Sequence, residues 1–264
     1  MKIKDILTES HIDNLSKEEF QKLLETDYSQ AYEQFKRGNI LYRGFGSMDV
    51  GLKRFQPMRG RESVNTNNFY TLIMNNSPRF SDFPKRSVIV SSNRNVAMSF
   101  ASDEHSLAII FPKNGAKLGV CKVRDIWQAK PAELEGYSKE GFYEIGRLIE
   151  RLYKWLGVNP HNVKTYQDML DVQNKFEAMK KEDSEQIVEA MSHLEDYLQQ
   201  YNFPENLTEE IIEKGPQGLY ELINTTPFKL VSVSNMQLGK NNEVWFDEEY
   251  LAVSVNIAKT MFGD

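Results

Sequence analysis

The chain has little cysteine and little histidine, and these shortages exclude several kinds of site. A single cysteine, Cys121, has no partner for an internal disulfide and cannot build a multi-cysteine metal site. The four histidines lack the spacing of zinc ligands; they are His11, His105, His161 and His193. We therefore expect no bound metal and a protein of a reducing compartment.

Long apolar runs and an excess of basic charge are also missing. No apolar run approaches the roughly 20 residues that a membrane span needs, and the first residues lack the apolar stretch of a secretory signal. The sequence therefore predicts no membrane partner. With 38 acidic against 32 basic residues, the net charge of −6 argues against a general nucleic-acid coat, although a local basic cleft stays open. The 40% apolar content over 264 residues is typical of a globular chain.

Patterns along the chain predict an α+β protein in three parts. Residues 1–39 form an amphipathic arm and one helix, which begins at a capping box of Ser16 and Glu19. Residues 40–136 and 223–264 carry short β-branched and apolar runs, which indicate a strand-rich core. Residues 137–222 place apolar side chains at helical spacing between charged stretches, so they predict an insertion of two or three amphipathic helices.

The individual elements of the core follow from the same patterns. The sequence predicts a helix over 93–101, and residues 47–86 form loops around one short helix near 66–75. Strands are predicted over 40–44, 87–91, 107–111, 118–123, 228–233, 243–246 and 250–255.

Three short pieces at strand ends could carry chemistry. Arg43 ends a buried strand before Gly44, and its guanidinium fork suits a phosphate or a carboxylate, either of a ligand or of a structural ion pair. Ser91 and Ser92 stand at a strand-to-helix turn, where hydroxyl groups hold a ligand or cap the next helix. Glu243 is the first residue of an apolar strand. Its carboxylate is either part of a functional site or simply exposed to solvent at the end of the strand.

The order of these pieces resembles the ADP-ribosyltransferase family, specifically its Arg–Ser–Glu class. The resemblance covers about residues 40–130 and 225–256 and rests on Arg43, on Ser91-Ser92-Asn93 with Ala97 and Phe100 behind it, and on Glu243-Val244. It implies an ADP-ribosyltransferase-like split mixed β-sandwich around a cleft for NAD, which serves as co-substrate. The N-terminal helix and the large helical insertion are additions to that core.

The resemblance implies a role for each matching residue. Glu243, Ser91 and Arg43 are the expected catalytic residues. Glu243 would stabilise the oxocarbenium-like ribose that forms as nicotinamide leaves, and Ser91 or Ser92 would orient it. Arg43 and Gly44 would contact the cofactor, with Arg43 clamping the pyrophosphate.

Two further parts of the cofactor site follow from the same resemblance. Ser91 or Ser92 would also bind the cofactor by helping to seat the ribose. Phe100 could stack on the nicotinamide, although packing in the core is the alternative for this ring. An asparagine cluster over 65–68 either lines the cleft or caps a helix.

The sequence also departs from the family pattern. Arginine-modifying members carry Glu or Gln two residues before the catalytic glutamate, whereas this chain has Asn241. Asn93 replaces the last serine of the turn, which leaves the register of that motif open by one residue. The nature of the acceptor therefore stays open between a host protein and a nucleic acid.

The first residues give a second resemblance. Leu7-Thr8-Glu9 is similar to the Leu-x-Glu sites that prohead proteases of large tailed bacteriophages cut, which implies a phage protein packaged in a virion and acting in the host cytoplasm. The predicted function is NAD-dependent ADP-ribosyl transfer to a macromolecule. The alternatives are a non-catalytic phage structural or interaction protein that keeps the fold, and an NAD glycohydrolase.

Overall fold

The computed structural model describes residues 9–57, 69–134 and 142–263. The chain divides into two compact units, one over residues 1–61, 82–125 and 228–264, and the other over 62–81 and 126–227. The first holds the strands and the second is helical. No helix of the described residues is long and apolar enough to cross a bilayer.

The strands of the described residues belong to the first unit. They are β1 (Glu9–Asn14), β2 (Leu41–Gly44), β3 (Leu52–Pro57), β4 (Val88–Ser91), β5 (Leu107–Pro112), β6 (Lys117–Cys121), β7 (Lys229–Ser232), β8 (Glu243–Phe246) and β9 (Tyr250–Ser254). The α-helices are α1 (Lys17–Glu25), α2 (Ser29–Lys36), α3 (Phe69–Asn76), α4 (Arg94–Met98), α5 (Phe142–Trp155), α6 (Tyr166–Lys181), α7 (Glu185–Gln200), α8 (Glu205–Lys214), α9 (Pro216–Asn224) and α10 (Val255–Phe262).

The strands form one sheet in the order β1-β3-β9-β5-β2-β4-β8-β6-β7. Its centre is narrow, because β2 and β4 pair through Tyr42 and Ser91 alone, whereas β2 pairs with β5 over four residues and β4 with β8 over four. The predicted α+β class is confirmed. The mixed strand directions that the resemblance implies are not found, since every pair of these strands is antiparallel and the described parallel contact is one isolated bridge, Gly46 to Ala101.

Apolar side chains of the N-terminal helices cover one face of the sheet. Phe111 of β5 is met edge-on by the rings of Phe20 and Phe35, from α1 and α2, and by Phe262 of α10. The capping box predicted at Ser16 and Glu19 is confirmed. The single helix predicted after it is wrong, because the chain leaves helical geometry at Thr26, whose hydroxyl donates to Lys22 O, and restarts as α2.

The sequence did not predict two strands, the edge strand β1 and its neighbour β3. The predicted N-terminal arm contains β1. Residues 47–86, predicted to form loops around one helix, contain β3, which pairs with β1 on one side and β9 on the other. Both are partly exposed, and β3 ends at Pro57, so neither shows the continuous apolar run of the central strands.

The helical unit is larger than the predicted insertion. It holds five α-helices between residues 142 and 224, where two or three were expected, and it also takes in α3, which the sequence reading had assigned to the core. The reason is the apolar surface of α3: the ring of Phe69 packs edge-on against Tyr153, and Tyr70 lies against Gly146 of α5. The hydroxyl groups of Tyr153 and Tyr220 share a buried hydrogen bond within this unit.

Candidate functional site

Ser91 and Glu243 face each other at the ends of two central strands. Strands β4 and β8 pair from Val88 opposite Phe246 to Ser91 opposite Glu243. Directly opposed residues of antiparallel strands project to the same face of the sheet, so the hydroxyl and the carboxylate lie side by side. Both residues are buried, Ser91 to 6% exposure and Glu243 to 7%. The structure therefore brings together two of the three predicted catalytic residues.

The neighbouring strands extend this pair into a row. Tyr42 of β2 lies opposite Ser91, and Cys121 of β6 lies opposite Glu243. A row of side chains thus crosses four strands on one face of the sheet, in the order Tyr42, Ser91, Glu243 and Cys121. It crosses the narrow join of the sheet, the point where β2 and β4 share a single residue pair.

Ser92 ties the segment before Glu243 to the end of β4. Its backbone N–H donates to Asn242 O at 2.9 Å, its hydroxyl accepts from Asn242 N at 2.8 Å and donates to Gly239 O at 2.7 Å. On the other side, Glu243 N donates to Val123 O at 2.8 Å. The backbone of Asn242 and Glu243 is therefore held by residues that follow β4 on one side and β6 on the other.

Asn93, rather than Ser91 or Ser92, is the N-cap residue of α4. Its side-chain oxygen accepts from Asn95 N at 2.8 Å and Val96 N at 3.3 Å, at the start of α4. Its side-chain amide donates to Asn241 Oδ1 at 2.6 Å, and its backbone N–H donates to the Ser91 hydroxyl at 3.0 Å. Neither serine caps the helix with its side chain, because Asn93 occupies the N-cap position.

Arg86 is the functional neighbour that the sequence analysis missed. Its Nη2 lies 2.6 Å from Glu243 Oε1, and both side chains are buried. The guanidinium also lies 5.8 Å from the centre of the Trp245 ring. The available signal was an arginine placed immediately before a β-branched buried strand, the same argument that selected Arg43.

Arg43 lies elsewhere than the resemblance implies. Since successive residues of a strand point to opposite faces, Arg43 leaves β2 on the face opposite to Tyr42 and Ser91. Its Nη1 donates to the Tyr250 hydroxyl at 3.0 Å, and its guanidinium lies 4.9 Å from the ring centre of Phe45. The structure does not bring Arg43 to the Ser91–Glu243 pair.

Gly44 and Phe100 meet beside the end of β2. A Cβ on Gly44 would lie 2.5 Å from Ala97 O and 2.5 Å from the carbonyl carbon of Phe100, so only glycine permits this approach of β2 to α4. The Phe100 side chain itself is 62% exposed. The alternative of core packing for Phe100 is therefore wrong, and its ring is available to a ligand.

The electrostatics of the row limit its chemistry. Burial raises the pKa of the Cys121 thiol to about 12, with Glu243 acting in the same direction, so Cys121 stays protonated and is a poor nucleophile. Burial also raises the pKa of the Tyr42 phenol, while the charge of Arg94 opposes that shift. The positive charge of Arg94 is therefore felt at Tyr42, at one end of the row.

Some predicted site features fall outside the described residues. The asparagine cluster over 65–68 and the Leu7-Thr8 part of the proposed processing site are among them. Within the ranges that the structure describes, no group of three or more His, Cys, Asp or Glu side chains could hold a metal ion.

Comparison with known proteins gave no match. No family model matches the chain, and no curated protein and no solved structure is significantly similar to it. The geometry of the site and the motifs of the sequence are therefore the basis for assigning a function.

Proposed function

We propose that this protein is an NAD-dependent ADP-ribosyltransferase that transfers ADP-ribose to a macromolecular acceptor and releases nicotinamide. One observation carries the proposal: Ser91 and Glu243, selected from distant parts of the sequence, face each other on adjacent strands. A buried carboxylate beside a hydroxyl can stabilise a positively charged ribose and orient a ribose hydroxyl, as carboxylates do in glycoside cleavage.

The form of the sheet supports the finer assignment of the fold. A single residue pair, Tyr42 and Ser91, joins the two halves of the sheet. A sheet that is nearly divided at its centre agrees with an ADP-ribosyltransferase-like split sandwich, and the Ser91–Glu243 pair stands at that division. The cleft for NAD is proposed to lie there.

The proposal gives each residue of this face a role. Glu243 stabilises the oxocarbenium-like ribose, Ser91 orients the carboxylate, and Ser92 holds the segment before it. The exposed ring of Phe100 stacks on the nicotinamide. The arginine that contacts the pyrophosphate is Arg94, which follows Asn93. It keeps 44% of its side chain exposed, and its Nη2 forms an ion pair with Glu104 that the pyrophosphate would have to share or displace.

Arg43 takes a different role from the one that the resemblance implies. It braces the end of β2 from the opposite face through Tyr250 and Phe45. Its role is therefore to stabilise the end of β2 rather than to contact the cofactor.

Asn241 affects which acceptor the protein could modify. Its side-chain oxygen accepts a hydrogen bond from Asn93 at 2.6 Å, so it is engaged within the protein. A short amide held in this way is a poor substitute for the Glu or Gln that orients an arginine acceptor in the family. We therefore propose an acceptor other than arginine, on a host protein or nucleic acid, reached after injection by a phage.

A second candidate function is a non-catalytic binding protein with the same fold. It is favoured by the ion pair between Glu243 and Arg86, which partly neutralises the carboxylate, and by the separation of Arg43 from the site. An NAD glycohydrolase would use the same residues with water as the acceptor.

Incubation with NAD labelled in the adenylate part, with and without a bacterial lysate, tests the proposal. A transferase places the label on a macromolecule and releases nicotinamide. A glycohydrolase releases nicotinamide equally well without lysate, and a binding protein releases none.

A further inference from the structure

Arg86 and Glu243 form a buried ion pair. The Nη2 to Oε1 distance is 2.6 Å, and the exposed fractions of the two side chains are 5% and 9%. Hydrogen bonds between two charged groups at this length are the strong class of side-chain contact. We infer that Arg86 is a positioning residue, which holds the Glu243 carboxylate in place in the ligand-free protein. The catalytic meaning of this inference depends on the proposed function.

Burial makes the partner necessary. A carboxylate with so little exposure loses most of its hydration, and an isolated charge in such a place is strongly disfavoured. Arg86 places an opposite charge and a hydrogen-bond donor beside the Glu243 carboxylate. An ionised carboxylate is the form that can stabilise a cationic ribose.

Arg86 is itself held in place. Its guanidinium lies 5.8 Å from the Trp245 ring centre, and Trp245 Nε1 donates to Pro84 O at 3.2 Å. The Trp245 ring stacks with Phe83 as well. Because Trp245 and Glu243 are two residues apart on β8, the segment that carries Arg86 is attached to the strand that carries its partner.

A second acidic residue, Asp125, lies in the same neighbourhood. Glu243, Arg86 and Asp125 all act on the thiol of Cys121, which burial keeps protonated. If Arg86 is removed, Glu243 and the half-buried Asp125 remain as like charges near Cys121. The loss of Arg86 therefore leaves Glu243 worse placed than in the native protein.

A double-mutant cycle in the full-length protein tests the inference without any assay of activity. Urea midpoints are measured for Arg86→Gln, Glu243→Gln and the double variant. Breaking a buried pair costs more than replacing both partners. Arg86→Gln is therefore expected to lower the midpoint, and adding Glu243→Gln is expected to raise it again. A double variant that shows the sum of the two single effects would overturn the inference.

A conservative variant and a control pair complete the cycle. Arg86→Lys keeps the charge without the fork, and its midpoint should fall between those of the native protein and Arg86→Gln; it also serves if Arg86→Gln does not fold. The control is the half-exposed pair of Arg54 and Asp13, for which Arg54→Gln and Asp13→Asn should give more nearly additive effects. A midpoint of Arg86→Lys equal to that of the native protein, or below that of Arg86→Gln, would count against a held carboxylate.

Turnover separates this inference from the proposed function. With NAD as substrate, Arg86→Gln should lower kcat about 100-fold through misplacement of Glu243, leave KM within about threefold, and be partly rescued by Arg86→Lys. Native release of nicotinamide at an unchanged rate in Arg86→Gln would overturn the positioning role alone. If the native protein releases no nicotinamide, the proposed function fails and the urea cycle still decides whether Arg86 holds Glu243.

Discussion

Ser91 and Glu243 lie directly opposite each other on the antiparallel strands β4 and β8, although 151 residues separate them in the chain. Their pairing places a hydroxyl next to a buried carboxylate at the narrow join of the sheet. Because the strand register fixes both backbones, the relation between these side chains does not depend on a flexible loop. This relation is the structural basis of the proposed transferase.

Replacing Ser92 with Ala should loosen the segment before Glu243. The change removes the hydroxyl that accepts from Asn242 N and donates to Gly239 O, and a loss of this kind costs about 1–3 kcal/mol. We expect faster hydrogen exchange at the Asn242 amide and a slower release of nicotinamide. The control is Ser99→Ala, which removes one exposed hydrogen bond, from the hydroxyl of the residue after α4 to Val96 O. Unchanged exchange at Asn242 would show that Ser92 does not anchor this segment.

Arg43 should matter to stability rather than to NAD affinity. Arg43→Met removes a buried hydrogen bond from a charged donor to Tyr250, which predicts a loss of about 1.5–3 kcal/mol in the free energy of unfolding. Arg54→Met, which breaks a half-exposed ion pair, should cost less, at about 1 kcal/mol. Urea denaturation and NAD titration measure both quantities. Weaker NAD binding by Arg43→Met at native stability would return Arg43 to the role of a pyrophosphate clamp.

The local elements were largely predictable, because their signals are local. The capping box at Ser16 and Glu19 and the strand over 243–246 follow from short patterns, and the structure confirms them. The helix predicted over 93–101 is present, but it is shorter and ends at Met98. The strands β1 and β3 were not predictable from such patterns, since they gain their structure from pairing with each other at a partly exposed edge.

The site was predictable only in part, for a related reason. The residue types at strand ends selected Ser91 and Glu243, but the face on which Arg43 emerges depends on which residue of β2 pairs with Ser91. That register is set by long-range packing, which the sequence does not show. Arg86 was missed because its partner is 157 residues away.

The thiol of Cys121 should resist modification in the folded protein. Burial raises its pKa to about 12, so at pH 8 very little thiolate is present. We expect a thiol-specific disulfide reagent to react slowly in buffer and rapidly in urea. Reaction in buffer at the rate of the unfolded chain would contradict the buried placement of Cys121.

The same raised pKa predicts how stability changes with pH. The unfolded thiol releases its proton near its ordinary value of 9.0, whereas the folded thiol keeps its proton until about 12. The stability that this group contributes is therefore present below pH 9 and is lost as the pH rises toward 12. Urea midpoints of the native protein should fall more steeply over this range than those of Cys121→Ala, and parallel curves would contradict the account.

Gly44→Ala should disturb the contact between β2 and α4. The added methyl would lie 2.5 Å from backbone atoms of Ala97 and Phe100, which cannot yield as a side chain would. We expect a loss of about 1–3 kcal/mol in the free energy of unfolding and weaker NAD binding through displacement of Phe100. Gly115→Ala, at a turn with open space, is the control: it should lower stability through its positive φ but leave NAD binding unchanged. Equal effects of the two variants on NAD binding would remove Phe100 from the site.

The most direct test of the central claim is nicotinamide release from NAD by the native protein, by Glu243→Gln and by Glu248→Gln. Glu248 lies on the exposed turn after β8 and serves as the matched control. The account predicts release by the native protein and by Glu248→Gln, and a rate lower by about 100-fold to 1,000-fold in Glu243→Gln, because the amide cannot stabilise the ribose cation. Release by Glu243→Gln at the native rate, or no release by the native protein in the presence of a lysate, would contradict it.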